Sequence, residues 1–272
     1  MNQYTQNQLK FIKENFKQGE RALQQGMFER AEKLFLAIIK IAPDLMDAHQ
    51  ALAFAYSEGK KHELASKQFS HILNFYPNDI QIRMNLGNSL NQQAKFAEAI
   101  LHYQAALKIN PNLIDAYINC AFSYKMLNNF NAAIEQLEKA LRIDKENINT
   151  LQALGMSYLD LKDYPKALQY LENASTIAPT NPSIKISYAL ALEKSGLDYE
   201  AGVQYLKTCE LDPKNPTVWI AYASHLLLSH RYDEAISALL QAKESFENKA
   251  LIHDMLGDVY SNMGNVEKAL EH

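Results

Sequence analysis

Between Ile80 and Leu113 apolar and polar residues alternate with the period of a helix. Arg83, Leu86, Gly87 and Leu90 recur at i, i+3, i+4 and i+7, and Ala99, Tyr103 and Ala106 at i, i+4 and i+7. That spacing gathers side chains on one helical face. Pro111 closes the stretch, because proline lacks the amide hydrogen a continuing helix needs and pushes Asn110 out of helical conformation. The pattern predicts two amphipathic helices joined by a tight turn. A mid-helix glycine costs about 1 kcal/mol relative to alanine, so Gly87 predicts the close passage of another helix backbone. Phe96, at the start of the second helix, is expected to plug the gap between the two.

The pattern returns every 34 residues, in units beginning at Ile12, Met46, Ile80, Ile114, Ile148, Pro182, Pro216 and Ala250, without insertion or deletion. Position twenty of the unit is alanine in all eight: Ala31, Ala65, Ala99, Ala133, Ala167, Ala201, Ala235 and Ala269. Position eight is always glycine or alanine. Pro43, Pro77, Pro111, Pro179 and Pro213 close units, while Pro165, Pro182 and Pro216 fall in first turns of helices, where proline is tolerated. In Leu86-Gly87, Leu90, Phe96, Ala99, Tyr103, Ala106 and Pro111 the chain resembles the tetratricopeptide repeat family. The resemblance implies an all-α fold, a right-handed superhelical solenoid of antiparallel helix pairs. Seven full repeats and a truncated eighth would span residues 12–272.

Residues 1–11 are polar until Leu9, lack the apolar core and cleavage site of a secretory signal, and are expected to form a frayed tail. The unit from Pro182 departs furthest from the pattern. Asp198 occupies the aromatic plug position and Gly202 sits inside the second helix, so it is expected to be the softest joint. The eighth unit reaches only His272, which is expected to leave Leu251, Met255, Leu256 and Val259 uncovered. Two expectations follow from that: a chain trimmed from a longer protein, or self-association through the uncapped C-terminal repeat.

Composition narrows the function classes. With no apolar run near 18 residues, no membrane span is expected. A net charge of −4 gives no support to nucleic-acid binding. The charge is uneven: residues 1–76 carry ten Lys/Arg against eight Asp/Glu, and residues 182–272 eight against thirteen. Cys120 and Cys209, in different units, read as buried thiols in a reducing cytoplasm. No metal-ligand, nucleotide-loop or nucleophile-elbow motif occurs, and neither an enzyme nor a cofactor is expected.

What remains for function is the groove that the resemblance places along the first helices. Repeat positions that look into the groove in the family carry Asn85, Asn88 and Asn119 beside Met84, Ile118, Phe122, Met126, Met156 and Ile186. Amides can both donate to and accept from a peptide backbone, and thioethers adapt to varied side chains. These nine residues are the candidate peptide-binding groove. The clamp that holds chaperone C-termini in similar proteins is not expected, since Met84, Asn149 and Ala153 stand where cations are required. The reading is a non-catalytic protein-protein interaction scaffold that binds a peptide or protein segment in the concave groove. The alternative is the N-terminal substrate-selecting arm of a larger enzyme, such as a glycosyltransferase or sulfotransferase.

Overall fold

A computed structural model describes residues 4–244 and 249–271. Among them are sixteen α-helices and no strand, and the chain forms two compact units, 1–143 and 144–272. The first unit holds α1 (Gln6–Gln24), α2 (Phe28–Ile41), α3 (Met46–Glu58), α4 (His62–Phe75), α5 (Ile80–Gln92), α6 (Phe96–Ile109), α7 (Ile114–Met126) and α8 (Phe130–Ile143). The second holds α9 (Ile148–Asp160), α10 (Tyr164–Ile177), α11 (Pro182–Lys194), α12 (Asp198–Leu211), α13 (Pro216–Leu228), α14 (Tyr232–Glu244), α15 (Ala250–Asn262) and α16 (Val266–Glu271). Odd-numbered helices pack antiparallel to the even-numbered helix that follows.

Helix starts follow local chemistry. Asp79, Asn147, Asn181 and Asn215 cap α5, α9, α11 and α13 through their side-chain oxygens, satisfying amides that a helix end leaves unpaired. The expected tail is in part helical. Thr5 and Gln8 form a capping box, with Gln8 N donating to Thr5 Oγ1 at 3.3 Å and Thr5 N to Gln8 Oε1 at 2.9 Å. Helix α1 therefore begins at Gln6 rather than near Ile12. Between the helices of each pair the chain turns through one left-handed residue, and four of these, Lys60, Ala94, Lys162 and His230, are neither glycine nor asparagine (φ 57° to 60°).

The seven alanines from Ala31 to Ala235 in the repeated column are wholly buried. The small residue at position eight has a different neighbour from the one expected. A Cβ added to Gly87 would lie 2.5 Å from the Tyr103 ring, so Gly87 makes room for an aromatic side chain of its own repeat rather than for a backbone. Gly155 faces Leu171 in the same way, at 2.3 Å. Phe96 meets the following repeat, edge-on to Phe122 at 6.4 Å between ring centroids.

In the second unit Gly202 has a structural reason. The two preceding repeats place Ile134 and Leu168 at its column, and Ser157 and Ala191 at the column of His225. Here the large residue has moved to the other helix. The His225 ring is 1% exposed and packs over Gly202, whose added Cβ would lie 3.3 Å from His225 Nε2. Nδ1 of His225 is 3.0 Å from Glu193 Oε2, and the ring lies 5.2 Å from that of Tyr205. A polar pair thus joins α11 to α13 where the aromatic plug is missing. At the end of the chain, Leu256 and Val259 are wholly buried and Met255 packs against the same core. Of the four residues expected to be uncovered, only Leu251 is exposed, because the other three pack into a core shared with α13 and α14. His272 lies outside the described residues.

Two substitutions test this packing by urea denaturation. Gly87→Ala is expected to cost about 1–3 kcal/mol, the usual penalty for overpacking a filled core. Gly202→Ile should cost a similar amount, and the triple change with His225→Ser and Glu193→Leu, which restores residue types found in the preceding repeats, should recover most of it.

Candidate functional site

Within each unit, first helices of successive pairs touch one another, α1 with α3 and α5 with α7 in the first unit, α9 with α11 and α11 with α13 in the second. Successive second helices make no comparable contact among the described residues. The first-helix face of each unit is therefore the more closely assembled one. The candidate groove residues lie on it, seven in the first unit and two, Met156 and Ile186, in the second.

Asn88, Asn91, Tyr103, Asn119 and Ser123 form one hydrogen-bonded network across α5, α6 and α7. The Tyr103 hydroxyl donates to Asn88 Oδ1 at 2.8 Å and accepts from Asn91 Nδ2 at 3.0 Å. Asn119 Nδ2 donates to the same Asn88 Oδ1 at 3.1 Å, and Ser123 Oγ donates to Asn91 Oδ1 at 2.8 Å. Burial, followed by the charge of a Cys120 thiolate, pushes the Tyr103 phenol well above its ordinary range. Tyr103 accordingly stays a donor. Sequence reading grouped Asn88 with Asn119 but had no signal for the buried tyrosine that orients them.

The remaining candidates divide by exposure. Phe122 is 50% exposed and Met126 47%, neighbours at i+4 on α7. Met84 and Ile118 are half-buried, and Met84 packs against the core of the first unit. Asn85 accepts from Gln81 Nε2 at 3.1 Å, while its own Nδ2 is sheltered from solvent with no hydrogen-bond partner. Met156 is half-buried, and Ile186 packs against the core of the second unit. The structure thus brings Asn88 and Asn119 together beside an exposed Phe122 and Met126, and draws Met84, Asn85 and Ile186 inward.

Chemistry beyond contact has little to work with. Burial pushes the Cys120 and Cys209 thiols up to about 12, away from the thiolate a nucleophile needs. His49 is held between Gln68 Oε1 at 2.9 Å and the Pro43 carbonyl at 2.8 Å, a structural position. Among the described residues no three His, Cys, Asp or Glu side chains converge as metal ligands, and no helix is long and apolar enough to cross a membrane.

A model of the TPR repeat matches residues 87–128, and one of the tetratricopeptide repeat matches residues 114–147 and 148–181. A tetratricopeptide repeat protein from Parabacteroides merdae superposes with a TM-score of 0.75 at 15% identity, over 92% of this chain and 99% of that one. The chain carries tetratricopeptide repeats over residues 87–181 and has the tetratricopeptide repeat fold. Among other solved structures of the same fold, MamA from Desulfovibrio magneticus is similar with a TM-score of 0.59 at 19% identity, over 63% of this TPR chain and 97% of its own. A chain of the APC/C hetero-tetramer Cut9-Hcn1 reaches 0.63 at 17% identity, over 89% of this TPR chain and 48% of its own. No curated protein matches the sequence.

Both thiols lie within the helix pairs of this TPR protein, which gives a pH dependence. The unfolded chain loses thiol protons above about 8.5, whereas the folded chain keeps them to about 12. Stability is therefore fully present at neutral pH and falls as pH rises through that window. Urea midpoints should drop between pH 7 and pH 9.5, and Cys120→Ala with Cys209→Ala should remove most of the drop.

Proposed function

We propose that this TPR protein is a non-catalytic interaction module that holds a peptide or protein segment against the first-helix face of its first unit. The observation that carries the reading is the exposure of Phe122 and Met126 on α7, half uncovered and flanked by the Phe96 ring. Adjacent exposed apolar residues on a helix that is otherwise well packed mark a contact surface. Met126 adds a side chain that adapts to varied partners. The amides of Asn88 and Asn119 lie on the same face and add polar contacts. Of the nine candidate residues, these four form the centre of the proposed site, and Met156 and Ile186 lie outside it.

The fold is compatible with such a role, since a chain of similar fold is found in the APC/C hetero-tetramer Cut9-Hcn1. The partner is a protein rather than a nucleic acid, given a net charge of −4 and a pI of about 6.1. A reducing cytoplasm suits two buried free thiols.

Peptides selected on this protein from a displayed random library should bind one to one, as read by titration calorimetry. Phe122→Asp, which places a charge where an apolar anchor is expected, should weaken them at least about 30-fold, the loss typical of a central contact, with helical circular dichroism unchanged. Equal binding by the variant would remove the basis of the proposal.

A further inference from the structure

We infer that the cleft between α4 and α6, on the second helices of the first unit, binds a small phosphorylated hydroxyl compound of the sugar-phosphate class. The cleft shares no residue with the first-helix site proposed above, and its role is separate from the interaction role.

The cleft coincides with a lapse in the packing rule. Position twenty-one of the repeat is Ile100 in the third repeat and Ile134 in the fourth, but Ser66 in the second. A serine cannot fill the volume of an isoleucine. Its hydroxyl is engaged locally, donating to the Glu63 carbonyl at 2.9 Å and accepting from Gln93 Nε2 at 3.0 Å. The result is a recess of about 420 Å³, lined at this point by Ser66 and by Leu86 and Leu90 of α5. Sites for small molecules begin at roughly 300 Å³.

The remaining lining is polar. Lys67, His71 and Asn74 come from α4, and Lys95, Glu98 and His102 from the cap and body of α6. The repeat itself does not call for these residues. Thirty-four positions on, in the columns of α6 and α8, Lys67, His71, Lys95 and Glu98 give way to Leu101, Ala105, Asn129 and Ala132.

Two kinds of chemistry meet in the recess. Lys67 Nζ is 2.8 Å from Glu63 Oε1, and the Glu63 carboxyl is held below its ordinary range first by Lys67 and further by Lys95. Two ammonium groups thus share one counter-charge, and the surplus suits a phosphate. Glu98 and His102 form the second group. Burial, then the charge of Arg83, holds the His102 imidazole below its ordinary range against the pull of Glu98. The ring is therefore neutral near pH 7, and its Nδ1 is sheltered from solvent without a hydrogen-bond partner. Glu98 makes no hydrogen bond or ion pair among the described residues. A carboxylate accepts from hydroxyl groups, a neutral imidazole nitrogen donates or accepts, and the Asn74 amide does both.

These two groups exclude the simpler ligands. A bare anion would use the lysines and be repelled by Glu98. A neutral polyol would leave the surplus positive charge unanswered, and an apolar molecule would strip water from every one of these groups without replacing it. A phosphate attached to a hydroxyl-bearing carbon skeleton satisfies both.

The probes are glycerol 3-phosphate, ribose 5-phosphate and glucose 6-phosphate, each compared with its dephosphorylated form and with inorganic phosphate, by titration calorimetry at low ionic strength. At least one of the three should bind one to one, about tenfold or more tighter than inorganic phosphate and than its own dephosphorylated form. Lys95→Met should weaken that compound and inorganic phosphate alike by about tenfold, as for one charge-assisted hydrogen bond. Glu98→Gln should weaken the compound about fivefold, as for a neutral hydrogen bond, and should not weaken inorganic phosphate. Ser66→Ile, which restores the residue type of the later repeats, should abolish binding with helical circular dichroism unchanged. Lys108→Met, which removes an exposed cation from the next cleft, should change nothing. A panel in which no member binds more tightly than inorganic phosphate would overturn the inference, as would binding unmoved by Lys95→Met and Glu98→Gln. A loss with Lys108→Met equal to that with Lys95→Met would also overturn it, since the attraction would then be general to the surface. None of these outcomes bears on peptide binding at the first-helix face, which Phe122→Asp tests separately.

Discussion

A pair of helices this short has too little apolar surface to stand alone, so everything in the structure depends on how closely one pair can approach the next. The approach is set by residues no larger than a methyl group. The buried alanines of the repeated column let helices come into contact, and Gly87 and Gly155 open pockets that Tyr103 and Leu171 fill. Close packing of this kind gains little from any one contact and much from their sum. It also leaves no tolerance for an added carbon. Where the sixth repeat breaks the pattern, the same volume rule is kept by a different route. Gly202 gives up its side chain and His225 supplies one, with Glu193 meeting the ring nitrogen.

The polar residues of the first unit follow from that geometry. Tyr103 fits because Gly87 has no side chain, and its hydroxyl then arrives between Asn88 and Asn91 with nowhere to go but into their amides. Packing inside the repeat therefore orients groups on its surface. A buried phenol makes two amides rigid, and rigid groups lose less freedom when a partner is bound. The exposed Phe122 and Met126 complete the surface from the next repeat.

The fold was legible because the pattern is periodic. Once Ile80–Leu113 is recognised as a unit, helix starts at Met46, Ile114, Ile148, Pro182, Pro216 and Ala250 follow by addition, and the helices begin at those residues. What the period does not carry was misjudged or missed. Gly87 was assigned a backbone neighbour because a small residue signals proximity without saying to what. Leu256 and Val259 were expected at an open end, but periodicity gives a face, not which element covers it. Gly202 looked like a defect because its complement, His225, lies 23 positions along the sequence. Of the site, residue types on the correct helices were readable. The split between exposed Phe122 and inward Met84 was not, since both occupy positions that the repeat pattern treats alike.

The left-handed turn residues bear on how such a chain can change over time. Lys60, Ala94, Lys162 and His230 each hold a backbone conformation that glycine adopts without penalty and that other residues pay roughly 1–2 kcal/mol to enter. None of the four belongs to the proposed site, and each sits in a different repeat. Effects at sites so separated usually add. The array therefore carries a distributed reserve of stability, one small increment per turn, against which destabilising changes on the binding face could be accumulated and offset without altering a single helix contact.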